Sequence, residues 1–288
     1  MTLFLRVLFI VLMVIGGVVG CANRGDKAVN VSGEDSGNYF QKDWALNKFW
    51  DDGLAEVATY SAERIIYNKV RTFDFVLITV KEDFNEEFNV KTDDYKRKDL
   101  FPVIKVNQFC RIETANYPYH FLSSLFFKRD NPVSIHKATI SSQEWCGNTF
   151  KAITKKGNQL KYSFNSYWDN QGEGQISLSA DLLLEDQLVY TLRTLKFEKG
   201  VSFSAKVAEW LQTNKATKPT IYQANFKISA VTTESGDSAW QVNLQLDDKK
   251  LNTYLFATAY PNVLISQKTW DNRNLKLKEI KRNAYWQH

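Results

Sequence analysis

The alternation of apolar and polar side chains constrains the fold of this chain more than any other feature. It is clearest in residues 240–246, where every second side chain is apolar or aromatic and the side chains between are polar, and in residues 160–168, where Leu160, Tyr162, Phe164 and Trp168 follow the same period. A period of two is typical of a β-strand that buries one face. Residues 70–80 are mostly of period two, with both faces partly apolar. Residues 103–112 alternate again, and this pattern predicts that Cys110 faces inward.

Short turn signals separate the predicted strands, for example Asp169-Asn170-Gln171-Gly172 and Glu234-Ser235-Gly236-Asp237. Strands joined by such short turns pair in antiparallel fashion. We therefore expect a mainly β fold, with a curved antiparallel sheet, a sandwich or a half-open barrel as the alternatives. The two halves of such a domain would meet near residues 175–200.

One segment has a helical pattern. Residues 181–195 carry an approximate stripe of leucines and contain neither proline nor glycine. This spacing predicts a single helix inserted into the β structure.

The N-terminus has the layout of an export signal. Arg6 precedes the apolar run 7–15, and small residues follow up to Cys21. The run is shorter than the roughly 20 apolar residues that span a bilayer. Residues 18–21, Val-Val-Gly-Cys, resemble a bacterial lipobox, which implies lipidation of Cys21. An uncleaved anchor helix and an ordinary signal peptide are the alternatives.

This pattern divides the chain into three parts. Residues 1–20 are the predicted lipoprotein signal peptide, residues 21–42 a polar flexible tether, and residues 43–288 a β-rich envelope domain. Trp44 and Trp50 follow the tether, and they either pack on the first strand or lie at a membrane surface. Ala22 after the cysteine resembles the residue found at that place in lipoproteins sorted to the outer membrane.

Three cysteines occur, and with Cys21 lipidated Cys110 and Cys146 remain. In an oxidising compartment these two could form a disulfide that closes a loop of about 37 residues. The alternative is two unrelated thiols packed as small apolar groups.

Charge and motifs exclude several classes of function. The net charge of +5 is spread along the chain without a basic block, so nucleic-acid binding is not indicated. The three histidines form no zinc motif, and no phosphate-binding or dinucleotide-binding loop occurs, so we expect neither metal nor cofactor. Enzymatic activity stays open only as a glycan hydrolase using two carboxylates, for which Glu144 and Asp74 are one example pair.

Aromatic residues make up 14% of the chain. Six of them could line a concave site for an acyl chain or another apolar ligand: Tyr117, Tyr119, Phe121, Trp145, Phe164 and Trp168. An ordinary β core would explain the same residues.

Three short motifs resemble an uncharacterised family of bacterial envelope lipoproteins, mostly from Bacteroidota: Tyr117-Pro118-Tyr119, Gln143-Glu144-Trp145-Cys146-Gly147 and Leu183-Leu184-Glu185-Asp186. The resemblance spans residues 45–286. Some members are labelled septum formation inhibitor, but this chain has an export signal and lacks the Ser-x-Ser-Pro-Arg-Arg opening of those cytoplasmic enzymes. No catalytic residue follows from the resemblance.

These observations together predict a lipid-anchored protein of the cell envelope, facing the periplasm from the outer membrane. We expect it to act without catalysis and to bind an apolar ligand or a protein partner. A structural or assembly factor that uses an exposed sheet edge is the alternative.

Overall fold

The computed structural model describes residues 39–287, which form sixteen strands. The predicted lipidation site, Cys21, lies outside these residues. The strands are β1 (Ala55–Ile66), β2 (Lys69–Asn85), β3 (Val90–Lys91), β4 (Leu100–Ile112), β5 (Tyr119–Lys128), β6 (Ile135–Glu144), β7 (Gly147–Lys156), β8 (Gln159–Ser166), β9 (Glu173–Ser179), β10 (Leu183–Leu184), β11 (Ser202–Ala208), β12 (Ile221–Thr232), β13 (Ser238–Asp247), β14 (Lys250–Ala257), β15 (Leu264–Lys268) and β16 (Asn274–Asn283).

All sixteen strands belong to one curved sheet that does not close on itself. Its order is β10-β11-β12-β13-β14-β15-β16-β1-β2-β4-β5-β6-β7-β8-β9, with β3 added to the end of β2. Neighbours are antiparallel except for the short parallel pair β10–β11. The mainly β prediction is therefore confirmed, and the curved open sheet is the alternative that the chain adopts.

The N-terminal strands β1–β9 and the C-terminal strands β10–β16 join through the pairing of β1 with β16. The β1–β2 hairpin turns at Tyr67 and Asn68, which both have positive φ angles of 53° and 58°. A two-residue turn with this backbone matches the twist of the flanking strands.

The predicted helical segment lies inside the curve of the sheet. It runs from the 3-10 turn Glu185–Gln187 through α1 (Leu188–Thr191) to a second 3-10 turn, Leu192–Thr194. Every residue in it is buried. A helix buried on all sides needs no polar face, which explains why its apolar stripe was only approximate.

The inner face of the sheet supplies the core around this segment. The strand predicted over residues 240–246 behaves as expected, because Val242, Leu244 and Leu246 are buried. Their burial fixes the register, since a one-residue slip would turn all three to the opposite face.

A buried ion pair joins the helical segment to the sheet. Arg193, after α1, donates two hydrogen bonds to the carboxylate of Glu56 on β1, at 2.7 and 2.8 Å, and a third to the carbonyl of Pro261 at 2.9 Å. Trp44 and Trp50 are also buried here, and the guanidinium lies 5.3 Å from the Trp44 ring. Both tryptophans therefore belong to the core.

The packed chain begins before the predicted end of the tether at residue 42. Phe40 is buried and pairs with Leu195, and the ring of Tyr39 stacks on Phe203 at 4.7 Å. These aromatic side chains bury apolar area that a solvated tether would expose. Between residues 39 and 287 no helix is both long and apolar enough to cross a membrane.

Candidate functional site

Four hairpin turns lie at the same end of the sheet: β1–β2, β4–β5, β6–β7 and β8–β9. The antiparallel order of these strands places the turns side by side. We call this end the aromatic rim, formed by Tyr67, Tyr117, Tyr119 and Trp145.

The aromatic rim continues inward as a ladder of rings. Trp145 stacks on Tyr117 with ring centres 6.1 Å apart, Tyr117 is 5.7 Å from Tyr119, and Tyr119 stacks on Phe121 at 6.0 Å. Trp145 is 78% exposed, whereas Phe121 is buried. The ladder therefore leads from solvent into the fold.

Polar groups at the rim join three strand connections. The Tyr67 hydroxyl lies 2.5 Å from that of Tyr119 and 3.3 Å from that of Tyr117, and the Cys146 thiol donates to the Tyr117 hydroxyl at 3.3 Å. The hydrogen bond with Cys146, followed by that with Tyr67, raises the pKa of Tyr117. Burial raises the pKa of Tyr119. Both phenols stay protonated near neutral pH, which suits hydrogen bonding to a ligand.

The inner end of the ladder meets two arginines and a tryptophan. The guanidinium of Arg64 lies 4.3 Å from the Phe121 ring and 4.0 Å from the Trp210 ring, and Arg273 lies 4.2 Å from Trp210. Stacking on aromatic faces stabilises a desolvated guanidinium. Burial lowers the pKa of Arg64 to about 10, so it remains charged at neutral pH.

Two carboxylates complete this interior cluster, which consists of Arg64, Trp210, Arg273, Glu185 and Asp186. Arg273 pairs with Glu185 at 2.5 Å. The carboxylate oxygens of Asp186 accept hydrogen bonds from the backbone N–H groups of the two residues after Trp210, with N···O distances of 2.7 and 2.9 Å. Burial raises the pKa of Asp186 to about 6.

A cavity of about 40 Å³ lies within the interior cluster. A cavity of this size holds a few water molecules, because one water needs about 10–15 Å³. Sites for small organic ligands occupy about 300–1,000 Å³. A ligand of that size therefore does not fit inside the interior cluster.

The structure brings together four of the six predicted ligand-lining residues: Tyr117, Tyr119, Phe121 and Trp145. Phe164 and Trp168 lie outside the ladder. The Phe164 ring packs on Tyr162 and on the backbone of Gly174, and Trp168 contacts Tyr167 in the β8–β9 turn.

The interior cluster was missed by sequence reasoning. Its one local signal was the adjacent pair Glu185-Asp186 inside the leucine-rich helical segment, where carboxylates are expensive to bury without partners. Glu144 and Asp74, the example pair of carboxylates for a glycan hydrolase, do not face each other. Asp74 forms an ion pair with Lys278, and Glu144 accepts a hydrogen bond from the side-chain amide of Asn214.

The possible Cys110–Cys146 disulfide is absent, and both thiols are free. Cys110 is buried on β4, and Cys146 is exposed in the turn after β6. Strand β5 lies between β4 and β6, so about 9–10 Å separates the two outer strands. A disulfide needs Cα atoms within about 4.4–6.8 Å. The alternative of two unrelated thiols describes the structure, although only Cys110 is buried.

Residues 39–287 contain no group of three or more histidine, cysteine or acidic side chains placed to hold a metal ion.

Comparisons with known proteins identify one distant structural similarity and no family. No family model and no curated protein matches the chain. A crystal structure of a beta-barrel-like protein of a domain of unknown function from Brucella abortus is similar at a TM-score of 0.47 and 9% identity. The match covers 80% of this chain and 98% of that one.

Proposed function

We propose that this protein is a lipid-anchored protein of the bacterial cell envelope, held in the outer membrane by acylated Cys21 and facing the periplasm. It acts by binding, and its aromatic rim contacts an apolar ligand or a protein partner. The lipobox-like residues 18–21 support the anchor. An acylated cysteine carrying more than one chain gives stable membrane attachment.

The observation that carries the binding role is the exposure of Trp145 at the end of an ordered ring ladder. Tyr117 stacks against one face of the indole, and yet 78% of Trp145 is in contact with solvent. Exposed tryptophan and tyrosine on a rigid support are enriched at binding hot spots, because burying them gains apolar area at little conformational cost.

Intact mass of the protein purified from its own membrane tests the proposal. Under denaturing conditions we expect a mass that fits acylated Cys21, and the unmodified full-length mass would contradict the anchor. Under native conditions we expect additional bound mass.

A matched pair of variants assigns the binding to the rim. Trp145→Ala should lose the bound mass, and Trp286→Ala should retain it, because Trp286 is an exposed tryptophan near the C-terminus, outside the ladder. Equal retention in both variants would exclude the aromatic rim as the binding site.

A second candidate function, assembly through a sheet edge, is supported by β9. This strand ends the sheet, and among the described residues no strand pairs with its outer side. Its sequence, Glu173–Ser179, contains no lysine, arginine or proline, the residues with which proteins protect free edges. Ser177→Lys should abolish an edge-mediated partner contact while leaving binding at Trp145 unchanged. Crosslinking yields in native membranes would separate the two functions.

A further inference from the structure

A basic depression lies at the opposite end of the sheet from the aromatic rim. Its volume is about 320 Å³, and its lining residues are Lys128, Asn131, Ser134, His136, Lys155 and Gly157. We call it the lysine concavity. The β5–β6 loop and the β7–β8 turn bring these residues together from strands that are neighbours in the sheet.

The lysines of this region have no acidic partners. Lys128 and Lys155 line the concavity, Lys137 and Lys156 lie next to it in sequence, and none of the four forms an ion pair among residues 39–287. Asp130 belongs to the same loop but is exposed and does not line the concavity. Several like charges around one depression repel each other, and an anion would remove that repulsion.

Neutral contacts hold the charged groups in place. The Lys155 ammonium donates to the Ser134 hydroxyl at 2.8 Å, and the Lys128 ammonium lies 4.7 Å from the Phe101 ring. Neither contact neutralises the lysine charge. Both ammonium groups therefore keep donors for an anion.

The pKa of His136 responds to the positive charge around the concavity. Its Nε2 atom lies 2.7 Å from the Asn89 side-chain oxygen. Burial, together with the charges of Lys128, Lys137, Lys155 and Lys156, lowers the pKa of His136 to about 4. The ring is consequently neutral at pH 7.

We propose that the lysine concavity binds the phosphate group of a phosphate ester, carried either by a lipid headgroup or by a soluble metabolite. Lysine ammonium groups bind phosphate as point charges, and Asn131 and Ser134 add neutral polar groups. A volume of 320 Å³ lies within the range of organic ligand sites, so the concavity has room for more than the phosphate itself. The proposal does not depend on the aromatic rim.

Calorimetric titration of the full chain in nonionic detergent tests the proposal with three probes: inorganic phosphate, glycerol 3-phosphate and glucose 6-phosphate. The Lys128→Gln/Lys155→Gln variant should bind the preferred probe at least about tenfold more weakly. The control Lys196→Gln/Lys199→Gln removes the same charge from the exposed loop before β11 and should change affinity less than about twofold. The Lys128→Arg/Lys155→Arg variant should restore most of the binding.

Flotation with vesicles distinguishes the two sources of phosphate. If the ligand is a lipid, anionic phosphatidylglycerol vesicles should bind wild type more strongly than the Lys128→Gln/Lys155→Gln variant, and phosphatidylcholine vesicles should not distinguish them. All variants carry the same N-terminus, so this difference reports the concavity. If the ligand is soluble, vesicle composition should have no effect and a soluble ester should bind.

Nuclear magnetic resonance titration of the His136 ring measures its pKa, which would not respond to phosphate if Lys128 and Lys155 had only a structural role. A bound phosphate beside the ring should raise its pKa from about 4, and the Gln variant should show no ligand-dependent change. The proposal is overturned if no probe and no vesicle binds, or if the Gln variant and its control lose affinity equally.

Discussion

Replacing Glu56 by glutamine tests whether the buried ion pair holds the helical segment against the sheet. The side chains of Glu56 and Arg193 are only 2% and 1% exposed, and two hydrogen bonds of 2.7 and 2.8 Å join them. Glutamine keeps the size of the side chain, so the substitution removes charge without creating a cavity. It leaves the Arg193 guanidinium buried without its counter-charge.

The expected loss of unfolding free energy is about 3–5 kcal/mol, the usual cost of removing one partner from a buried pair. A Coulomb estimate agrees, because opposite unit charges about 4 Å apart attract by about 4 kcal/mol at an effective dielectric constant of 20. The bond from Arg193 to the Pro261 carbonyl remains, but it offsets only part of the loss.

Urea unfolding followed by tryptophan fluorescence measures this loss. Asp74→Asn is the matched control, because it breaks the exposed pair with Lys278 and should cost about 0–1 kcal/mol. The double variant Glu56→Gln/Arg193→Met should be less destabilised than the sum of its single changes, since no charge is left buried. A loss below about 1 kcal/mol for Glu56→Gln, or one equal to that of Asp74→Asn, would refute the reasoning.

Three further predictions concern the interior and the rim. Burial raises the pKa of Asp186 from 3.8 to about 6, so the folded state binds the carboxyl proton more tightly than the unfolded state does. The free energy of unfolding should therefore fall by about 3 kcal/mol as pH rises from about 4 to about 6. Paired urea titrations against Asp186→Asn, which lacks this proton equilibrium, measure the difference. Equal pH slopes for the two proteins would contradict this. Maleimide should label exposed Cys146 in the native protein and Cys110 only after unfolding. Cys110 is protected because it is buried and because burial raises its pKa to about 11. Fewer than two free thiols from these residues in denaturant would show that they form a disulfide. Gly147→Ala should destabilise by about 1–3 kcal/mol, since a Cβ there would lie 2.3 Å from Cγ and 2.6 Å from Cβ of Tyr167. Adding Tyr167→Gly, which removes both of these atoms, should recover part of the loss in thermal unfolding. An unchanged melting temperature in Gly147→Ala would mean that the Tyr167 side chain moves away freely.

The sequence by itself determined the class of fold. Period-two alternation over residues 160–168 and 240–246 predicted strands, and the turn residues between strands predicted antiparallel pairing. It also located the inserted helical segment and four members of the aromatic ladder. These features are readable because they depend on the order of neighbouring side chains.

Tertiary structure decided which distant residues meet. Arg64 and Arg273 both contact the Trp210 ring, although more than 60 residues separate each of them from it along the chain. Cys110 and Cys146, which are much closer in sequence, are held apart by an intervening strand. Pairing order and curvature of the sheet fix these distances, and local side-chain patterns carry little information about either. The lysine concavity has the same origin, because its residues come from two connections whose proximity only the folded sheet creates.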